Sequence, residues 1–211
     1  VPLMIAVDQE GGKVLRIKTS PPLPSALAVG STSDPQTAKK AGEITGKILR
    51  SFGFNTNLAP VVDLGDEKNP SFIGSRSYGS EPALVSTMAE AFVDGLGNSG
   101  VAAFLKHFPG HGSVITDSHL QMPIRQVSKE ILLNQDLLPY KKIVSAHPGT
   151  GVMLAHVAFP TIDDSLSPAT FSKPIVTDLL RKELGFKGIV MTDDVGMLGG
   201  AKIGDLDERA V

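Results

Sequence analysis

The sequence predicts an α/β protein, a (β/α)8 barrel of the TIM type that is incomplete in this chain, with about five βα units present. Three observations predict it. Five short aliphatic stretches, residues 3–8, 57–63, 101–107, 151–156 and 188–194, each end in polar or ionisable side chains; continuous apolar runs of that length suit parallel strands buried on both faces. Helical patterns lie between them, and the intervals leave room for a crossover helix and a loop, so the pairing should be parallel with right-handed connections. Every run carries its polar residues at the C-terminal end, and a barrel brings all those ends to one face. The competing architecture, a doubly wound open sheet, uses mainly its switch point.

The first run begins at once as a buried strand with no lead-in, so the chain reads as a fragment, one barrel domain over residues 1–211 truncated at both ends. Asp34 followed by Pro35 opens a helix that closes at Gly53, an N-cap with proline at the first helical position. Glu81 and Pro82 open a second, which runs to Gly95 or Gly97. A third runs from about Ser128 to Ala146, and a fourth from Ser172 to Gly185, with Leu179, Leu180 and Leu184 at helical spacing. Residues 21–24 and 66–70 are proline-bearing loops. A whole barrel takes roughly 250 residues, so the chain is short by about three βα units.

Composition narrows the function. With no Cys there is neither a disulfide scaffold nor a Cys-ligated zinc module. The 20 Lys plus Arg are matched by 22 Asp plus Glu, which argues against nucleic acid as a partner, because phosphate binding needs clustered excess cations. No apolar run approaches the roughly 20 residues of a membrane span. A small neutral substrate fits this balance.

The most informative stretch is Lys106-His107-Phe108-Pro109-Gly110-His111-Gly112, followed after four residues by Asp117-Ser118-His119. Glycines and a proline make a loop able to deliver a catalytic group. Asp117 and His119, two apart, point the same way in extended chain, and a carboxylate beside an imidazole is a pairing used for proton transfer. The same residue types allow a metal reading, with His107, His111, Asp117 and His119 as N and O ligands, although no HExxH-type helical spacing is present. At the last strand end stand Asp193 and Asp194; alternation lets only one point along the barrel axis, and Asp194 suits a helix cap. At the first strand end, Asp8-Gln9-Glu10-Gly11-Gly12 lacks the surroundings of a phosphate loop. Asp8 is able to accept from sugar hydroxyls or to pair with Arg16. Arg76, in the loop after the second strand, offers a planar fork of donors.

Together these segments resemble the N-terminal barrel of glycoside hydrolase family 3, in its bacterial β-N-acetylglucosaminidase (β-N-acetylhexosaminidase) branch. The matching motifs are Ala6-Val7-Asp8-Gln9-Glu10-Gly11-Gly12, Asn57-Leu58-Ala59-Pro60-Val61-Val62-Asp63, Ile73-Gly74-Ser75-Arg76-Ser77, the histidine loop, Met153-Leu154-Ala155-His156-Val157 and Thr192-Asp193-Asp194. The histidine loop sets this branch apart from the β-glucosidases. The resemblance implies a retaining hydrolase for terminal β-linked N-acetylhexosamine, with Asp193 as nucleophile, His119 as acid/base and Asp117 as its dyad partner. It implies sugar contacts at Asp8, Arg16, Arg76, Lys106 and His107, and His156 joins them from its strand-end position as well. Free imidazole titrates near ~6.5 against ~4.3 for glutamate, so His119 is able to act as acid and base near neutrality. No metal or cofactor is required. The implied partner is a small carbohydrate, a β-GlcNAc-terminated glycan or muropeptide.

Three alternatives follow from the same residues: a phosphorylase of the family, in which phosphate replaces water; a metallohydrolase using the histidine cluster; and an inactive barrel fragment with two uncovered sheet edges. Compartment stays open, since relatives of this type occur both in the cytoplasm and outside the cell.

Overall fold

The computed structural model describes residues 3–65, 72–112, 114 and 123–198. The loop expected at residues 66–70 lies outside them. Five strands form one parallel sheet: β1 (Ala6–Val7), β2 (Thr56–Asn57), β3 (Ala102–Phe108), β4 (Gly151–Leu154) and β5 (Val190–Thr192). Their spatial order is their chain order, with Val7 opposite Asn57, Asn57 opposite Ala103, Leu105 opposite Val152 and Leu154 opposite Thr192. A doubly wound sheet reverses at its switch point; this one advances in a single direction and is an arc of a (β/α)8 barrel.

Apart from β3, the strands are shorter than the aliphatic runs. In residues 57–63 Pro60 has no N–H for a ladder, and after Asn57 the pairing is irregular: the Ala59 and Pro60 carbonyls accept from Phe104 and Lys106 N–H, and an isolated bridge joins Val61 to Lys106, with Val62 N–H donating to the Lys106 carbonyl. In β3 the register with β4 slips between Leu105 and Phe108, and the Lys106–His107 and Phe108–Pro109 peptides are cis.

Helix α1 (Pro35–Ser51) starts as expected: the Asp34 carboxylate accepts from Gln36 N–H at 3.0 Å and Thr37 N–H at 3.2 Å. Helix α2 (Pro82–Asn98) packs along α1 where Gly42 faces Gly95, and a Cβ on either would strike the other helix's backbone. The third helix is not continuous. A turn at Lys129–Ile131 leads into a π-helical stretch, Leu132–Asp136, before α3 (Leu138–Ala146). Pro139 cannot donate in the first turn of α3, and the chain widens there, Leu137 N–H reaching back five residues to the Leu132 carbonyl. Helix α4 (Pro174–Glu183) is π-helical and starts on Pro174. Leu49, Met88, Leu96, Leu105, Phe108, Tyr140, Leu154 and Leu180 fill the space between sheet and helices. Among the described residues no helix is long and apolar enough to cross a membrane.

Candidate active site

The C-terminal ends of β1, β3, β4 and β5 and the loop after β2 converge on one polar cluster. After β1 the chain forms a small hairpin, Gln9–Gly11 with Val14–Leu15, which sets Glu10 beneath the sheet end. Gln9 is fully buried; it ties the hairpin to itself, accepting from the N–H groups of Arg16 and Ile17, and its backbone exchanges bonds with the Asn57 amide on β2. The Glu10 side chain is 3% exposed and takes both arms of the Arg76 fork, Nε and Nη2 each at 2.8 Å. Lys106 Nζ bridges Glu10 Oε1 at 2.5 Å and Asp8 Oδ1 at 2.7 Å. Burial alone would raise the Glu10 carboxyl, but the bond from Arg76 and the Lys106 charge override it and hold the group down to about 2. Asp8 keeps its carboxylate partly open to solvent, so this bridged row of charges still offers an acceptor to an incoming hydroxyl.

Asp63 organises the second half. Wholly buried, it accepts His107 Nδ1–H at 2.7 Å, His107 N–H at 3.2 Å and His111 N–H at 2.6 Å. Burial would raise its carboxyl; the neighbouring His107 and these bonds bring it below the usual range. Because Nδ1 is held by Asp63, the other ring nitrogen, Nε2, is presented to the site, 3.4 Å from Arg76 Nη2 and 3.9 Å from Asp193 Oδ2.

Asp193 follows β5. Its Oδ1 accepts Asp194 N–H at 2.8 Å, while Oδ2 faces His107 beyond hydrogen-bond length. Burial pushes this carboxyl up; His107, the Asp194 N–H and Lys106 pull it further down, so it is ionised throughout the neutral range. Asp194 turns away to cap the short helix Val195–Leu198, its Oδ1 accepting Gly196 N–H at 2.8 Å. The alternation expected of the Asp193–Asp194 pair is therefore present. His156 is buried with both ring nitrogens engaged, Nε2–H donating to the Asp194 carbonyl at 3.0 Å and Nδ1 accepting from the Thr170 hydroxyl at 2.8 Å. Burial lowers its pKa, in keeping with that neutral tautomer. Its ring supports the turn carrying Asp193 and has no nitrogen left for a sugar.

The structure thus brings Asp8, Arg76, Lys106, His107 and Asp193 together, with His156 behind Asp193. It does not bring in Arg16, whose side chain is exposed and whose N–H serves the hairpin. Asp117 and His119 lie outside the described residues. Among the described residues no group of three or more His, Cys, Asp or Glu side chains is arranged to hold a metal ion. Sequence reasoning quoted Glu10 and Asp63 inside its motifs without choosing either. A signal existed for both: Glu10 stands two residues from Asp8, and Asp63 is itself a carboxylate closing a strand run.

The description glycosyl hydrolase family 3 N terminal domain belongs to the family model that matches residues 1–211. A beta-hexosaminidase of Glaesserella parasuis is 38% identical over 210 residues, covering 99% of this chain and 61% of the relative. Beta-hexosaminidase A of Pseudoalteromonas piscicida is 38% identical over 214 residues, with 94% and 36% covered. Among solved structures, a glycoside hydrolase family 3 beta-N-acetylglucosaminidase from Paenibacillus sp. superposes with a TM-score of 0.88 at 40% identity, covering 93% of this chain and 38% of that one. Native NagZ from Neisseria gonorrhoeae gives 0.87 at 35%, covering 99% and 60%. The chain therefore spans between 36% and 61% of the length of the named relatives it matches in sequence. By the family match and these likenesses, the chain belongs to glycoside hydrolase family 3, as its N-terminal domain.

Proposed function

We propose that this chain carries the catalytic barrel of a retaining β-N-acetylglucosaminidase that releases terminal β-linked N-acetylhexosamine from glycan or muropeptide fragments. The observation that carries the reading is Asp193: a strand-end carboxylate kept ionised by its surroundings, one oxygen tied to Asp194 N–H and the other, among the described residues, beside His107 at 3.9 Å. The likeness to a beta-hexosaminidase and a beta-N-acetylglucosaminidase supports the choice of sugar.

In the first step an Asp193 oxygen bonds the anomeric carbon as the glycosidic C–O bond breaks, and His119, as imidazolium supported by Asp117, gives its proton to the departing oxygen. In the second, neutral His119 takes a proton from water, whose oxygen bonds the anomeric carbon and frees Asp193. Asp8, Arg76, Lys106 and His107 hold the ring hydroxyls and acetamido group. Arg16 acts only at the rim, from its exposed place beyond the hairpin.

A 2-position-modified fluorinated substrate that reacts quickly and hydrolyses slowly should leave its label on Asp193, read by peptide mass spectrometry. Label on another residue, or none on active protein, would overturn the reading. Turnover of an aryl β-GlcNAc should exceed that of the matching β-glucoside and proceed without phosphate; obligatory phosphate would make the enzyme a phosphorylase instead.

A further inference from the structure

The motif Ile73-Gly74-Ser75-Arg76-Ser77 ends on a side chain that the reaction as written does not use. Ser77 is 1% exposed, and its hydroxyl lies 2.6 Å from the Asp63 carbonyl and 2.8 Å from the Gly79 carbonyl, so one hydrogen serves both. The oxygen also accepts Gly79 N–H at 3.2 Å. Beside it, Gly65 N–H donates to the Gly79 carbonyl at 2.7 Å. A Cβ on Gly65 would stand 3.2 Å from the Ser77 Cβ, so residues 63–65 and 77–79 lie in close contact. A buried hydroxyl links them.

Each stretch carries or adjoins a group that shapes the sugar site. On one side is Asp63, whose carboxylate accepts from His107 Nδ1 and from the N–H groups of His107 and His111. On the other, Arg76 immediately precedes Ser77 on the single helical turn Gly74–Arg76. That turn closes with Arg76 N–H donating to the Ile73 carbonyl at 3.0 Å and Ser77 N–H to the Gly74 carbonyl at 3.2 Å. From it the Arg76 fork reaches Glu10, and Nη2 stands 3.4 Å from His107 Nε2. Asp63 and Arg76 therefore meet at one imidazole, the first holding its Nδ1 and the second facing its Nε2. The distance between their backbones decides where that ring sits beside Asp193, whose Oδ2 is 3.9 Å from Nε2.

We propose that Ser77 is a positioning residue for sugar binding: its hydroxyl ties the backbone of Asp63 to the turn that carries Arg76, and so aligns Arg76 with His107. The inference rests on the reading of this cluster as the N-acetylhexosamine site and adds to it the group that keeps the two halves together. Side chains that grip the sugar equally in the ground and transition states act on KM, so misaligning Arg76 against His107 weakens binding more than turnover.

The test uses the intact protein and three variants. Ser77→Ala removes the hydroxyl, and Ser77→Cys keeps the shape with a weaker donor. Ser86→Ala is the control, because Ser86 is 2% exposed and its hydroxyl donates to the Pro82 carbonyl at 2.6 Å within α2. Ser77→Ala should raise KM for an aryl β-GlcNAc and the inhibition constant of free GlcNAc by the same factor, roughly fivefold or more, with kcat within about twofold of the parent. Ser77→Cys should fall between Ala and the parent, while Ser86→Ala should lower the melting temperature comparably and leave both constants unchanged. If Ser77→Ala keeps the parent's KM and inhibition constant, or if Ser86→Ala raises them equally, the tie is overturned. Should Ser77→Ala fail to fold, Ser77→Cys carries the same comparison, and a Cys variant identical to the parent overturns it. A parent that neither turns over the aryl β-GlcNAc nor binds GlcNAc removes the sugar reading itself, and this inference with it.

Discussion

The two ends of the sheet treat their carboxylates in opposite ways. On the β1–β3 side, Glu10 and Asp63 are buried at 3% and 0% side-chain exposure and have every strong direction filled, by Arg76 and Lys106 in one case and by His107 and His111 in the other. At the end of β5, Asp193 is 25% exposed and has one oxygen without a hydrogen-bond partner among the described residues. Groups that grip a sugar have to be stiff before it arrives, and a saturated network makes them so. A group that attacks carbon has to leave a lone pair free. The difference predicts that the first kind of residue carries stability and the second carries rate.

The largest expected effect is on rate. Asp193→Asn should lower kcat/KM by on the order of 10³-fold or more for aryl and sugar leaving groups alike, since it removes the nucleophile of the proposed reaction, and should leave denaturant stability near that of the parent. Retained activity within tenfold of the parent would break the comparison from one side. Next is Asp63→Asn, which removes the charge beside His107 and disturbs the acceptor of three bonds; unfolding in urea should reveal a loss of about 3 kcal/mol. A stability equal to that of Asp193→Asn would break it from the other.

Glu10→Gln should act on both properties, raising KM as Arg76 and Lys106 lose their shared anchor and costing roughly 1–3 kcal/mol. It also sharpens the picture through pH. The Glu10 carboxyl falls from 4.5 to about 2 on folding, so its contribution is full above 4.5 and is lost as the pH drops toward about 2. His111, lowered by burial from 6.5 to about 4, favours the folded state only while neutral, so stability falls in a separate, earlier window as pH drops from 6.5 toward about 4. Denaturant midpoints across pH should therefore lose the lower window in Glu10→Gln and much of the upper one in His111→Gln. The smallest effect belongs to Asp34→Ala, far from the site, which should lower the melting temperature by a few degrees with kcat and KM unchanged.

Local chemistry made part of this molecule readable. Asp34 with Pro35 marks a helix start wherever it occurs, and strand ends rich in ionisable residues mark a barrel's working face. What escaped was pairing. Glu10 meets Arg76 across 66 residues and Asp63 meets His107 across 44, so neither carboxylate's partner stands near it in the chain. The interrupted third helix escaped for a different reason: its apolar spacing is helical throughout, while the wider turn falls just before Pro139, which has no N–H to continue a regular ladder. Arg16 and His156 stand apart from the cluster in opposite senses, one exposed beyond the hairpin, the other engaged by Thr170 and Asp194.

The slip of register in β3 has a further effect on how this framework is able to vary. In an undisturbed pleat, neighbouring side chains leave by opposite faces, and either Lys106 or His107 would have been handed to the helices. Here one seven-residue strand feeds an ammonium and an imidazole to the same side, at 2% and 4% exposure. Lengthening or trimming that strand by a single residue would misdirect both at once, so the neighbouring loops are free to drift in length while β3 is not.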